Sequence, residues 1–215
     1  GPGVNNYLKN LSEAASQLPS SVFENDEKRW KERFSDISSM KGSENPYALH
    51  SELAEAMISN VLIVRENDKL QSTLDVIEDI ESRWKDIECV DTQDWSNPVP
   101  SFVNQLWNMI QLSKIITMGA LKRDEFRGSH YKPEFDLNQP DDFDPADYLE
   151  YEEQKANGGV HKDQFAPSHV DYMERFEKNN EDWLKSSIAT YNNGKPAVDF
   201  ESVDTSLICL LYTSP

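Results

Sequence analysis

Leu70, Leu74, Ile77, Ile80, Trp84 and Ile87 follow one another by steps of three and four residues, the most regular pattern in the chain. At about 3.6 residues per turn, that spacing puts them on one stripe of a helix roughly five turns long. An isolated helix of this kind is marginal in water, so the stripe has to be covered by other helices. A helix bundle is therefore the first expectation, with flanking segments as the partners.

Asn45-Pro46 reads as a capping residue followed by proline at the first helical position, where its missing N–H costs nothing. Leu49, Leu53, Ala56, Met57, Val61 and Val64 then make one face of a helix. The turn-rich break DTQDWSNPVP forbids a continuing helix. After it, Phe102, Leu106, Met109, Ile110, Ile116 and Leu121 mark a third long helix, with Gly119 loosening its end. Short connections make the three neighbours antiparallel, so the expected fold is mainly α, an antiparallel three-helix bundle, spectrin-repeat-like in outline. Trp84, Trp107 and Met109 are core residues in this reading.

Upstream, Tyr7, Leu8, Leu11, Ala15 and Leu18 predict a helix over 4–18 ended by Pro19. A charged helix starting after Ser20 or Ser21 carries only Phe23, Trp30, Phe34 and Ile37 as a thin stripe and belongs on a surface. Downstream, residues 136–182 read as an acidic insertion with short helices near 145–155 and 169–178. Asn193-Gly194 between short alternating runs predicts a small C-terminal β-hairpin.

Composition narrows the function. Net charge is −18, and residues 136–182 hold fourteen Asp/Glu against four Lys/Arg, a local balance of −10. Such a chain is repelled by phosphate backbones and anionic lipid, which argues against nucleic-acid binding. No apolar run is long enough to insert directly into a bilayer. Cys89 and Cys209 lack metal-ligand spacing, so a reducing compartment is the default. The end, Cys209 to Pro215, resembles a translated sequencing adapter, and residues 209–215 are expected to be a non-native tail.

The candidate chemistry is sparse. Asp142, Asp144 and Glu153 match positions one, three and twelve of a calcium loop, but Ala146 offers no ligand and Asp147 stands where the loop needs glycine. His161 and His169, with Asp163 and Asp171 nearby, match no zinc spacing. His50 reads as a satisfied histidine on the first long helix. Acidic neighbours should raise the pKa of Cys89, and no glycine-flanked serine or phosphate loop is present. What stands out is RDEFRGSHYKPEF, residues 123–135, directly after the third helix. Lys122 and Arg123 would face the helix's partial negative end, Gly128 would permit a turn, Arg127 would take a carboxylate bidentately and His130 would hydrogen-bond. On residue chemistry alone, this is either a helix stop stitched by ion pairs or a docking corner.

This cluster resembles the E-S-R-G-x-H-Y/A-x-x-E/D-F-like motif in the helical C-terminal domain of succinate dehydrogenase and fumarate reductase flavoprotein subunits. Glu125, Arg127, Gly128, His130, Tyr131, Lys132, Pro133, Glu134 and Phe135 fit it, and Phe126 departs from it where the family has a small serine. GPGVNNYL is similar to the end of the family's flavin-domain helix, and NPYALHSELAEAMISNVLIVRENDKL resembles its first bundle helix. DWLKSSIA and VDTSLI are similar to its terminal segment, whereas the acidic insertion and residues 209–215 fall outside the resemblance.

The resemblance implies a subunit that interconverts succinate and fumarate by hydride transfer to or from a covalently held FAD, with an arginine proton carrier and Arg/His clamps. In the family those groups precede the region present here. No catalytic, cofactor-binding or metal residue is therefore expected in this chain, and alone it should be inactive. Implied partners are an iron-sulfur subunit and, through it, a membrane cytochrome b anchor. That places the subunit in the cytoplasm, peripheral on the inner face of the membrane.

Arg123, Glu125, Arg127, Gly128, His130 and Tyr131 become the packing or docking motif, with no substrate contact. The implied division is 1–44 as flavin-domain tail and connecting helices, 45–135 as bundle, 136–182 as acidic insertion and 183–208 as hairpin segment. A piece of such a subunit should expose apolar surface on its first bundle helix. The rival reading is a non-enzymatic acidic helical-bundle interaction module.

Overall fold

The computed structural model describes residues 2–10, 17–91, 93, 95–192 and 195–204. In chain order the helices are α1 (Pro2–Lys9), α2 (Ser20–Ser38), α3 (Pro46–Asn60), α4 (Asn67–Arg83), α5 (Val99–Lys122), α6 (Pro145–Ala156) and α7 (Pro167–Trp183). Two strands follow, β1 (Lys185–Asn192) and β2 (Lys195–Ser202).

Helices α3, α4 and α5 form the expected bundle. Asn45 caps α3, its Oδ1 accepting from the Tyr47 and Ala48 amides at 2.8 and 3.4 Å, and Pro46 occupies the first turn. Leu49, Leu53, Ile77, Ile80, Trp84, Ile87, Val103, Leu106 and Ile110 meet in one core, joined by Ile37 from α2. Trp84 keeps its indole satisfied while buried, donating from Nε1 to the Val103 carbonyl at 3.0 Å.

Local details depart from the periodicity. Helix α3 stops at Asn60, so Val64 lies in the next loop and is exposed with Leu62 and Ile63. The α4 stripe outlasts its helix: after Arg83 the chain tightens into a 3-10 turn over Trp84–Asp86, and Ile87 is buried from extended backbone. Gly119 loosens nothing and sits inside unbroken α5. The described part of the first helix starts at Pro2 and ends at Lys9, and Leu11 and Ala15 lie outside the described residues. Helix α2 is the surface helix expected, with Phe23, Trp30 and Phe34 exposed and only Ile37 buried.

One tertiary link has no periodic signal. Residues 41–44 run beside 86–89: the Ser43 and Glu44 amides both donate to the Asp86 carbonyl at 2.8 Å, and Glu88 N donates back to Glu44 O at 2.9 Å. Gly42 makes this approach possible, since a Cβ there would stand 1.8 Å from the Asp86 carbonyl oxygen.

The acidic segment owns a small core of its own. Tyr148 and Tyr151 on α6, Val170, Met173 and Phe176 on α7, and Phe165 just before α7 are buried together. Both helices run longer than the short ones expected. The calcium-loop candidates serve other ends here. Asp144 caps α6, accepting from Ala146 N at 2.8 Å, and Asp142 and Asp147 flank the His169 ring at 3.3 and 2.8 Å. Glu153 lies exposed in α6.

Strands β1 and β2 pair antiparallel from Lys185↔Ser202 to Asn192↔Lys195. The Asn193-Gly194 turn lies outside the described residues. Replacing Gly42 with alanine is expected to destabilise the fold by about 1–3 kcal/mol, the usual cost of forcing extra volume into a packed contact. Urea unfolding of G42A beside the parent measures it.

A buried carboxylate where the bundle meets the hairpin

Helix α5 ends at Lys122, and the chain from Arg123 onward folds back over its C-terminus. The reversal is tight. Arg127 N donates to His130 O at 3.1 Å and His130 N to Arg127 O at 3.0 Å, with Gly128 at φ +56°, a conformation that favours glycine.

At the centre lies Glu125, fully buried. Its Oε1 accepts from Arg123 Nε at 2.6 Å, and Oε2 accepts from Arg127 Nε at 2.9 Å and Asn179 Nδ2 at 3.2 Å. Both arginines also bind other elements. Arg123 donates to the carbonyls of Lys185 and Trp183 at 2.9 and 2.6 Å, and its guanidinium lies 6.0 Å from the Trp183 ring and 5.9 Å from that of Phe200. Arg127 donates from Nη2 to Asn180 Oδ1 at 2.6 Å. One carboxylate thus ties the end of α5 to the end of α7 and, through Arg123, to the hairpin. The expected bidentate Arg127 pair is instead a fork between Glu125 and Asn180. Lys122 also reaches the hairpin, donating to Val198 O at 2.8 Å.

The carbonyls at the end of α5 are met by a residue the motif reading left without a role. Lys132 is a fully buried lysine; its Nζ donates to Leu121 O and Arg123 O, both at 3.1 Å, and to Asp124 Oδ1 at 2.8 Å. Three donors meet three acceptors, which is how a buried ammonium avoids the cost of an unpaired charge. His130 lies beside it, with Nε2–H donating to Arg123 O at 2.8 Å and Nδ1 accepting from Arg65 Nη1 at 2.6 Å. Arg65 in turn donates to Val61 O at 2.8 Å, so the α3–α4 loop is fastened to the same corner. Tyr131 is half-exposed, and its carbonyl accepts from Arg65 N at 2.9 Å.

Phe126, where the resemblance has a small serine, is half-buried. Its ring packs on Tyr131 at 4.9 Å and, with Leu137, Tyr172 and Phe176, lines a cavity of about 30 Å³. The acidic segment supplies the surface that receives the larger side chain.

Arg65, Asn179 and Asn180 are the participants that sequence reasoning missed. Arg65 stood within the quoted stretch NPYALHSELAEAMISNVLIVRENDKL and needed only a partner, whereas Asn179 and Asn180 look like any polar residues on a solvated helix. The other candidates stay apart. His50 is half-buried with its ring edge-on to Phe102 at 5.7 Å, and His161 is exposed, while His169 pairs with Asp147 and Asp142. Cys89 is buried, and burial pushes its thiol pKa up, rather than the acidic neighbours.

Chemically the corner is closed: each of its charged groups is occupied by protein partners. Among the described residues no cluster of His, Cys, Asp or Glu is placed to hold a metal ion, and no helix is long and apolar enough to cross a membrane. A flavin dinucleotide does not fit either. Its pyrophosphate requires a strand, a glycine turn and a helix N-terminus in a parallel βαβ unit, and the sheet described is one antiparallel hairpin.

Two histidines here respond to pH in opposite senses. Burial, with the charges of Arg65, Lys132 and Arg123, pulls the His130 pKa down against the raising effect of the Arg123 carbonyl. Its contribution to stability is complete above the ordinary histidine value of about 6.5 and is lost as pH falls through the depressed one. The hydrogen bond that His169 donates to Asp147 leads in raising its pKa, helped by Asp142 and opposed by burial. That contribution is complete below the ordinary value and lost as pH rises through the raised one. Melting-temperature differences between parent and variant should therefore narrow toward acid for His130→Gln and toward alkali for His169→Gln. Glu125→Ala strands two half-buried guanidinium groups and is expected to cost about 3–5 kcal/mol in urea unfolding.

Comparison with known proteins follows the same lines. Residues 50–214 match the family described as fumarate reductase flavoprotein C-term, a range that runs through the acidic segment. The chain is similar to the succinate dehydrogenase flavoprotein subunit of Bacillus subtilis, 37% identical over 97% of this chain and 29% of that protein. It is also similar to the 8-methylmenaquinol:fumarate reductase flavoprotein subunit of Wolinella succinogenes, 26% identical over 62% of this chain and 21% of that one. Among solved structures, an E. coli quinol fumarate reductase superposes with TM-score 0.62 at 18% identity, covering 87% of this chain and 26% of the other. The chain thus spans less than a third of the length of these relatives.

Proposed function

The chain belongs to the family of succinate dehydrogenase and fumarate reductase flavoprotein subunits, matching its C-terminal domain, and on that premise we propose that it is the C-terminal part of such a subunit. The whole subunit interconverts succinate and fumarate by hydride transfer to or from FAD and passes electrons to an iron-sulfur subunit. FAD and the dicarboxylate bind outside these residues, so the chain by itself is inactive. Through the iron-sulfur subunit it is linked to a membrane cytochrome b anchor, which holds it at the inner face of the cytoplasmic membrane.

The role of this part is packing and subunit docking. The observation that carries it is Glu125: a carboxylate fully buried and bound by Arg123, Arg127 and Asn179 holds bundle, α7 and hairpin as one body. Apolar surface supports the larger assembly. Ile58 on α3 and Leu62, Ile63 and Val64 after it are exposed in series, a patch of the kind that marks an interface. The division at 44, 135, 182 and 208 remains part of this proposal. A self-standing interaction module would not account for a family match across residues 50–214.

In the complete subunit, Arg127→Ala is expected to lower recovery of the assembled complex several-fold while turnover per assembled complex stays within about twofold. Purification yield of flavoprotein with its iron-sulfur partner, together with succinate oxidation normalised to bound flavin, provides both readings. Equal recovery of mutant and parent would sink the packing role.

A further inference from the structure

Between α2 and the bundle runs an open groove of about 630 Å³, walled by Trp30, Trp84 and Trp107 with Arg29 and Arg33. Arg33 is half-buried and held in one orientation. Its Nε donates to Asn104 Oδ1 at 2.5 Å, and its guanidinium carbon lies 5.7 Å from the Trp84 ring centroid. Trp84 packs on Trp107 with centroids 4.9 Å apart. Arg29, Arg83, Arg123, Arg127 and Arg175 each pair with a carboxylate. Among the described residues Arg33 and Arg65 do not, although the chain carries an excess of 18 negative charges. Arg65 is taken by Val61 O and His130, whereas the one hydrogen bond of Arg33 runs from Nε to Asn104. Its Nη edge is left for another acceptor.

We propose that this groove is a binding subsite for a small monocarboxylate with a planar apolar body. The Nη edge of Arg33 takes the carboxylate in a charge-assisted, two-pronged hydrogen bond, pre-oriented because Asn104 and Trp84 already fix the guanidinium plane. The indoles of Trp30, exposed, and Trp107, half-buried, take the ring, Trp84 being buried under Arg33. Glu32 and Asp36 also line the groove, and their charge disfavours a second negative group on the ligand. The subsite does not rest on the reading of the subunit's reaction and is distinct from dicarboxylate chemistry.

The test is an NMR titration of the indole N–H signals of the 215-residue chain with 2-naphthoate. The expected result is a saturable shift with Kd on the order of 1 mM. Affinity should fall at least tenfold for Arg33→Gln, and equally for the neutral probe 2-naphthalenemethanol on the parent. No saturable shift, or equal affinity for the neutral probe, overturns the proposal, the latter leaving only a greasy groove. Inorganic phosphate binding as tightly as 2-naphthoate overturns the role of the ring. Arg33→Gln also removes a contact that holds α2, so Asp36→Asn provides an independent arm. It keeps that contact and is expected to tighten binding about two- to threefold; unchanged or weaker affinity overturns the proposal.

Discussion

The contact between Glu125 and its two arginines is the constraint on which the rest of the arrangement depends. A carboxylate with no solvent exposure is tolerable only when its oxygens are met by donors and its charge is balanced. Here the donors come from Arg123 and Arg127, two residues before and two after Glu125, and from Asn179 of α7. Because Arg123 and Arg127 have nitrogens to spare, each passes the restraint on, one to the hairpin and the other to Asn180. Directional bonds of this sort fix relative orientation, which apolar packing alone leaves loose.

Lys132 and His130 complete the corner by a different route. They satisfy carbonyls at the end of α5 that the helix cannot satisfy itself. Arg65 then brings the α3–α4 loop to the same place. The fold therefore has two kinds of glue: a continuous apolar core inside the bundle, and a polar knot where the bundle meets α7 and the hairpin. The α6–α7 unit repeats the plan on a smaller scale, with an aromatic core and His169 held between two aspartates. A knot whose donors and acceptors are met within the protein is suited to holding these elements together.

How much was legible in the sequence depended on how local the cause was. The α4 stripe and the Asn45-Pro46 cap could be read directly, because helical periodicity and capping involve residues a few positions apart. Val64 and Gly119 were misplaced, since where a helix stops or stays intact depends on what packs against it. The motif residues were visible as a cluster, but their bonds were not. Arg127 forks to Asn180, 53 positions later, and no local pattern in α7 marks that asparagine. The acidic segment reads in sequence as an insertion with short helices because its charges dominate composition, yet Tyr148, Tyr151, Met173 and Phe176 turn inward at helical spacing and make a core.

By itself the sequence determined the helices, the hairpin and the family, all consequences of short-range pattern and steric preference. Only the tertiary structure decided that Gly42 must lack a side chain beside Asp86, that Phe126 has a place among α7 aromatics, and that Glu125 is buried. These outcomes turn on which distant groups meet. A charged residue in a sequence looks the same whether it will face water or two guanidinium groups, and only the packed fold removes the water.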